Sequence, residues 1–283
     1  MAYTQLIPRH TKDARVELIS YDTSHYLLSV PAGKADQYRL AQLDDYAQLT
    51  RGKFPLRPPH ALSLSARTSS NSIPGTWGFG FWNDPFGLSL GFGGSPFRIP
   101  ALPNAAWFFG ASEENYLSFR GSTTNEVTNA TLSASRGKEA ANGFLAQTFR
   151  SPRFHPRLIP AGLALPFSRT TTRRLLGNVI HEDGLQLWSP ADRRNQEPTP
   201  GLQSVDPTHW HRYSIDWREK RISFEVDDVP VFESAVSPQG PLGLVIWIDN
   251  QYAAFTPEGK IGFGVLENPE PAWLEVKQIE LSE

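Results

Sequence analysis

Short runs of alternating apolar and polar residues, broken by glycine and proline, recur along the chain and predict strands far more often than helices. Val16 to Ile19 and His25 to Val30 form two such runs, parted by a turn at Asp22-Thr23-Ser24. Leu62, Leu64 and Ala66 alternate with Ser63, Ser65 and Arg67, the pattern of a half-buried strand. Next, Trp77, Phe79 and Phe81 alternate with Gly78, Gly80 and Trp82. Two glycines beside a tryptophan predict either a shallow hollow where a ligand can approach the backbone, or a bend packed by neighbouring aromatics. Ala105 to Phe109 and Tyr116 to Phe119 read as strands joined around Glu113-Glu114-Asn115, and Gly143 to Phe149 as another. In the last third, His211, Tyr213, Ile215 and Trp217 alternate across a short charged turn with Ile222, Phe224 and Val226, which is a hairpin pattern. Strands over Leu242 to Asp249, Lys260 to Leu266 and Trp273 to Leu281 complete the series. The segment from Asp36 to Leu49 fits neither period: it alternates poorly, while Leu40, Leu43 and Ala47 would share a helical face. A single helix is predicted over about 169–182. Leu175, Leu176, Val179 and Ile180 form its apolar stripe, Ser168 or Thr170 caps it, and Gly184 ends it.

Composition narrows the classes. With 8 Trp, 17 Phe, 8 Tyr, 22 Gly and 24 Pro, the chain has the make-up of an all-β protein, and 283 residues suffice for one sandwich. No internal repeat or boundary stands out, so one domain over 1–283 is expected, with a long inserted excursion over about 151–206. A net charge of -2 leaves no basic excess to hold a nucleic acid. Without cysteine there is no disulfide, no thiolate nucleophile and no thiolate-bound zinc or iron–sulfur cluster. The first ten residues lack an apolar core of signal-peptide length, and no apolar run approaches the ~18 residues of a membrane span. The expectation is a cytoplasmic protein with no membrane partner, no cofactor and an undetermined oligomeric state.

The C-terminal third carries a resemblance. Trp210-His211-Arg212-Tyr213-Ser214-Ile215-Asp216-Trp217, followed by Arg221-Ile222-Ser223-Phe224-Glu225-Val226-Asp227-Asp228, resembles the W-H-x-Y-x-[IV]-x-W and I-x-[FW]-x-V-D-G patterns of the concanavalin A-like lectin and glucanase superfamily, closest to glycoside hydrolase family 16. Trp273 to Ile279 is similar to that family's closing strand, and Gly75 to Trp82 to its strand ending in a cleft aromatic. The resemblance implies a jelly-roll β-sandwich of two antiparallel sheets, with Trp82 and Trp247 in a substrate cleft. Indole faces stack on the apolar side of a sugar ring, which gives such positions a physical rationale. The other reading makes both tryptophans ordinary core aromatics. Asp228 stands where the family has a turn glycine; aspartate tolerates positive φ better than most residues.

The family's chemistry needs paired carboxylates, supplied by E-x-D-x-E or E-x-D-x-x-E on one strand because alternate residues share a face. That strand should follow Trp82, where Asn104 to Gly110 contains no acid, and no E-x-D-x-E occurs in the chain. Glu113 and Glu114 are adjacent and would face opposite ways. His181-Glu182-Asp183 offers a base and two acids at the expected helix end, and Asp249 adjoins a cleft tryptophan; Glu182, Asp183 and Asp249 are the remaining catalytic candidates. His209 and His211 would share a strand face, a spacing open to a metal, although the family motif already accounts for His211. Asn83, Asp84, Asp249 and Asn250 have the oxygen ligands that suit Ca²⁺. The resulting expectation is a non-catalytic sandwich holding a saccharide or other small polar ligand, with Trp82, Trp107 and Trp247 stacking and Asp84 and Asp249 hydrogen-bonding hydroxyls. The alternatives are a divergent glycoside hydrolase or polysaccharide lyase with relocated carboxylates, and an interaction protein whose groove the 151–206 excursion packs shut.

Overall fold

The computed structural model describes residues 5–85, 101–117, 142–152, 179–188, 205–255 and 261–283. In chain order its strands are β1 (Ile7–His10), β2 (Arg15–Ser20), β3 (His25–Val30), β4 (Leu40–Asp44), β5 (His60–Thr68), β6 (Thr76–Trp82), β7 (Ala105–Ala111), β8 (Tyr116–Leu117) and β9 (Gly143–Arg150). They continue with β10 (His181–Trp188), β11 (His211–Trp217), β12 (Ile222–Val226), β13 (Val229–Ser234), β14 (Gly243–Asp249), β15 (Gln251–Phe255), β16 (Ile261–Val265) and β17 (Ala272–Ser282). The one helical element among the described residues is a 3-10 turn at Arg51–Lys53.

Seven strands form a first sheet in the order β1-β4-β14-β6-β7-β9-β10, and seven a second in the order β13-β12-β11-β5-β17-β3-β2. Every pairing within the two sheets is antiparallel. The chain changes sheet between β1 and β2, β3 and β4, β4 and β5, β5 and β6, β10 and β11, and β13 and β14, so strands neighbouring in sequence repeatedly fall in opposite sheets. That is the connectivity of a jelly-roll sandwich. Trp77, Phe79 and Phe81 of β6 point into this core with Phe108 of β7, meeting Tyr213, Trp217 and Phe224 of the second sheet. Phe79 and Phe108 lie 5.1 and 4.9 Å from the Tyr213 ring, and Phe81 lies 5.5 Å from Trp217.

The hairpin of β11 and β12 is paired from Tyr213↔Val226 to Trp217↔Ile222. Its continuation into β13 turns at Asp227 and Asp228, which take φ of 52° and 61°. Positive φ at both central residues suits a type I′ hairpin turn, so Asp228 does adopt the conformation that favours glycine.

The structure resolves one open segment, corrects one expectation and fixes the course of one strand. The ambiguous 36–49 segment contains β4, buried at every position. Its Ala41 and Leu43 face the inter-sheet core, while Leu40, Gln42 and Asp44 face a second apolar layer on the outside of the first sheet, so no alternation survives in the sequence. The helix predicted over 169–182 is not helical where it is described: Val179 and Ile180 are non-helical, His181 and Glu182 open β10, and 169–178 lie outside the described residues. Pairing of β10 with β9 overrides the local helical period, and Gly184 sits mid-strand, where a Cβ would meet the Ala146 carbonyl at 3.1 Å. Tyr116-Leu117 does not turn back onto β7 but runs parallel to β15 in a third, three-stranded sheet, β16-β15-β8. Asn115 sets that course, accepting from the Ala253 N–H at 2.9 Å and donating to the Gly75 carbonyl at 3.0 Å.

Candidate functional site

Residues opposite one another in adjacent strands share a sheet face, and the register therefore assembles the outward face of the first sheet. One row across it runs Arg9, Gln42, Trp247, Gly78, Phe109, Leu145, Gln186; the next contains Asp44, Val245, Gly80, Trp107 and Gln147. Trp82 belongs to a third row, with Ala105, Phe149 and Glu182. Strands β6, β7 and β14 thus bring the three tryptophans singled out from sequence onto one face. Trp82 and Trp247 are stacked, with centroids 5.8 Å apart and planes 7° from parallel. Trp107 lies 6.1 Å from Trp82 and 5.7 Å from Trp247, both tilted.

The glycines explain why large rings fit. A Cβ on Gly78 would come within 2.8 Å of the Trp247 ring, and one on Gly80 within 2.7 Å of the Trp107 backbone. The hollow expected above these glycines is accordingly filled by the tryptophans themselves. Trp107 is only 2% exposed and Trp247 6%, whereas Trp82 remains partly open.

All three indole N–H groups are engaged internally. Trp82 Nε1 donates to the Tyr46 hydroxyl at 2.5 Å, Trp247 Nε1 to Thr76 Oγ1 at 2.9 Å, and Trp107 Nε1 to Gln147 Oε1 at 3.3 Å. What this cluster can present to a ligand is ring surface rather than a polar edge.

Asp249 stands in the same face at the Thr76 end of β14 and is 6% exposed. Its Oδ1 accepts from the Thr76 hydroxyl at 2.8 Å, the Thr76 N–H at 3.3 Å and the Gln251 N–H at 3.2 Å, and its Oδ2 from the Tyr38 hydroxyl at 3.1 Å. Burial outweighs these donors and pushes its pKa up to about 6. Burial, together with the Asp249 carboxylate, also drives the Tyr38 phenol upward. With four donors already in place, Asp249 is a brace for the strand ends more than a free acceptor for sugar hydroxyls. Asp84, two residues beyond Trp82, takes φ of 47°, and its carbonyl is gripped by the Arg51 guanidinium at 2.5 Å. Its carboxylate is near enough to raise the phenol of Tyr46 as well as that of Tyr38, in each case after the larger effect of burial.

Sequence reading missed Asp44, Gln42 and Tyr46. Asp44 is fully buried, accepting from Gln42 Nε2 at 2.7 Å and lying 3.4 Å from the Arg9 guanidinium. Gln42 also donates to the Tyr46 hydroxyl at 3.2 Å, which links this carboxylate to the indole cluster. Without a recognised strand over 40–44 nothing in the sequence put these side chains together.

Among the described residues, register keeps Asp44 apart from Asp249. Asp44 pairs across from Val245, four residues from Asp249, or about 13 Å along the strand. Retaining and inverting glycosidases need about 5–5.5 Å and about 6.5–9.5 Å respectively. Glu182 lies on the edge strand three pairings from Trp82, and Asp183 faces the other way, accepting from the Ser234 hydroxyl at 2.7 Å. Strand β7, the neighbour of the Trp82 strand, offers Ala105, Trp107, Phe109 and Ala111 to this face and no carboxylate.

The histidines and the suggested calcium ligands have other partners. His211 binds Asp227 Oδ2 at 2.6 Å and the Asp206 carbonyl at 3.1 Å, while His209 approaches Asp206 at 3.6 Å. Asn83 and Asn250 stand beyond opposite ends of the β6–β14 pair, bonded to the Leu102 and Leu266 carbonyls. Among the described residues no group of three or more His, Asp or Glu side chains is placed to hold a metal.

Residues 176–241 match the family model described as Glycosyl hydrolases family 16. No curated protein matches the chain. Similar solved structures include a glycoside hydrolase family 16 endo-glucanase from Bacteroides ovatus, at 8% identity and TM-score 0.44, covering 100% of this chain and 96% of that one. A Bacillus licheniformis β-glucanase has 11% identity and TM-score 0.41, covering 95% and 82%. The binding domain of botulinum neurotoxin DC has 5% identity and TM-score 0.42; the match covers 98% of this chain but 42% of that one. At such scores these likenesses carry no functional argument, and the fold rests on the strand order itself. Among the described residues no helix is long and apolar enough to cross a membrane. The chain is a concanavalin A-like jelly-roll sandwich that resembles Glycosyl hydrolases family 16, whose model it matches over residues 176–241.

Proposed function

We propose that the protein binds a saccharide on the outward face of its first sheet without turning it over through the family's carboxylate pair. The observation that carries this reading is the gathering of Trp82, Trp107 and Trp247 on one face with every indole N–H internally bonded. Trp82 is the contact platform, because its ring is the partly exposed member of the cluster; Trp247 and Trp107 back it from beneath. Asp84, two residues beyond Trp82, supplies the acceptor for sugar hydroxyls. The absence of acids from the outward positions of β7 is what separates this reading from a glucanase. The family match over residues 176–241 favours a saccharide over other small polar ligands.

Glycan-array screening followed by titration calorimetry tests the proposal. Trp82→Ala should weaken binding by about tenfold or more, the scale of a buried aromatic anchor. Equal affinity of wild type and Trp82→Ala would overturn it. Release of reducing ends from a polysaccharide panel, abolished by Asp249→Asn or Glu182→Gln, would replace it with the divergent-hydrolase alternative, and unsaturated products with the lyase.

A further inference from the structure

We infer that Thr76 is a positioning residue that fixes the plane of the Trp247–Trp82 pair; its bearing on ligand rests on the saccharide-binding reading above. Thr76 opens β6 directly across from Asp249, so both side chains rise from the same face. Its hydroxyl has a single proton, and that proton is directed to Asp249 Oδ1 at 2.8 Å. The hydroxyl oxygen then turns a lone pair towards Trp247 Nε1 at 2.9 Å. A carboxylate, which only accepts, thereby sets the rotor of a hydroxyl, which in turn sets an indole.

The ring is held at a second point. Its six-membered end lies over Gly78, two residues along β6, so close that a Cβ there would stand 2.8 Å from Cη2. Fastened at the N–H edge and seated at the far edge, the Trp247 ring has one plane available, and Trp82 stacks on it within 7° of parallel. Trp82 is itself fastened through Nε1 to Tyr46. The open face of Trp82 therefore takes its direction from a residue that lies behind the pair, on the far side of Trp247. Rigid support of this kind is how binding groups are held in productive geometry.

Thr76→Val keeps the shape and removes the hydroxyl; Thr76→Ser keeps the hydroxyl and removes the methyl. The difference in near-ultraviolet circular dichroism between wild type and Trp247→Phe defines the signal of the pair. We expect Thr76→Val to lose that signal and Thr76→Ser to keep it, at temperatures well below unfolding. On affinity electrophoresis in a soluble neutral β-glucan, used as the probe, Thr76→Val should weaken retardation about tenfold and Thr76→Ser should restore it. A Thr76→Val spectrum identical to wild type overturns the inference, as does a Thr76→Ser spectrum matching Thr76→Val. If wild type is not retarded by this glucan or by any glycan on the array while the spectra behave as expected, the saccharide reading fails and the positioning role of Thr76 stands.

Discussion

The two sheets carry tryptophans on their outward faces in opposite ways. On the first sheet Trp82, Trp107 and Trp247 pack on one another and bury themselves, with their N–H groups turned to internal acceptors. On the second, Trp210 and Trp273 are covered by cations: the Arg67 guanidinium lies 4.9 Å from the Trp210 centroid and 5.4 Å from that of Trp273, and Lys277 Nζ lies 4.1 Å from Trp210. Glu275 ties this layer together, 2.7 Å from both His25 and Arg67. One face is an apolar layer with buried polar braces; the other is a solvated layer of charges laid over indoles. A cluster of aromatic rings with one partly open member is a place where a ligand can add a layer. A ring already capped by a cation has its partner.

The sharpest break between the two faces should be energetic. Trp107 touches Trp82, Trp247, Phe109 and Phe149 and is almost wholly buried. Trp107→Ala should cost about 3–5 kcal/mol, the range for emptying a large aromatic site. Trp210→Ala loses cation–π contacts worth about 0.5–1 kcal/mol each at partly exposed sites, so about 2 kcal/mol is the expected ceiling. Urea unfolding of both variants measures the contrast. Equal losses would mean that the indoles of the first sheet form no more of a core than those of the second.

The same contrast explains what sequence could and could not reveal. Where one face of a strand meets water, as in β5, β11 and β12, alternation survives and the sequence shows the strands and the hairpin. Where a strand is buried on both faces, as in β4, β7 and β14, alternation vanished. Strands β7 and β14 were still found because they are aromatic or β-branched, but β4, with Gln42 and Asp44 among its residues, was not. Trp82, Trp107 and Trp247 were identified because tryptophan stands out in a strand ending or in a resemblance. Their acceptors, Tyr46, Thr76 and Gln147, are ordinary residues whose role exists only once strands distant in sequence lie side by side. The helical spacing of Leu175, Leu176, Val179 and Ile180 places Glu182 and Asp183 at a helix end, whereas β10 begins at His181, immediately after Ile180, and takes both acids into a strand.

Charge separates the faces a second time, with an effect of intermediate size. Burial pushes Asp249 up to about 6 and Asp45, with the neighbouring Asp44 adding to the effect, up to about 7. On the second sheet Glu275 and Asp227 are held below their ordinary values: burial works against this, but hydrogen bonds from Arg67 and His25 to the one, and from His211 and the Arg212 N–H to the other, outweigh it. A carboxyl with a raised native pKa binds protons more readily folded than unfolded, so stability should rise as pH falls from about 7 towards about 4, by at most about 1.4 kcal/mol per pH unit for each group. A depressed carboxyl has the opposite sign: its stabilisation is present above the unfolded value near 4 and is lost as pH falls through the native one. Melting temperature against pH should therefore climb on mild acidification and drop in stronger acid. Asp249→Asn, though less stable overall because it loses an acceptor, should flatten the climb between about 6 and 4, and Glu275→Gln should soften the acid drop. A wild-type profile flat from 7 to 4 would remove the distinction.

The smallest test concerns the second sheet alone. Asp228 occupies the second central position of the type I′ turn at φ of 61°, where the family resemblance expects glycine. For an ordinary L-residue the left-handed conformation costs about 1–2 kcal/mol, and less for aspartate, which tolerates it. Replacement by glycine removes that strain but frees the unfolded chain, at about 0.5–1 kcal/mol. The Asp227 contacts to the Arg212 N–H at 2.9 Å and to His211 at 2.6 Å are untouched, and the Arg212–Asp228 approach at 3.8 Å is exposed. The balance leaves Asp228→Gly more stable by about 0.5 kcal/mol, a rise of about 1–2 °C in melting temperature for a chain of this size. Because this hairpin lies at the edge of the sheet opposite the indole cluster, the circular dichroism of the Trp82–Trp247 pair should not change with it. A change there would show that the two faces, so different in chemistry, are not independent in structure.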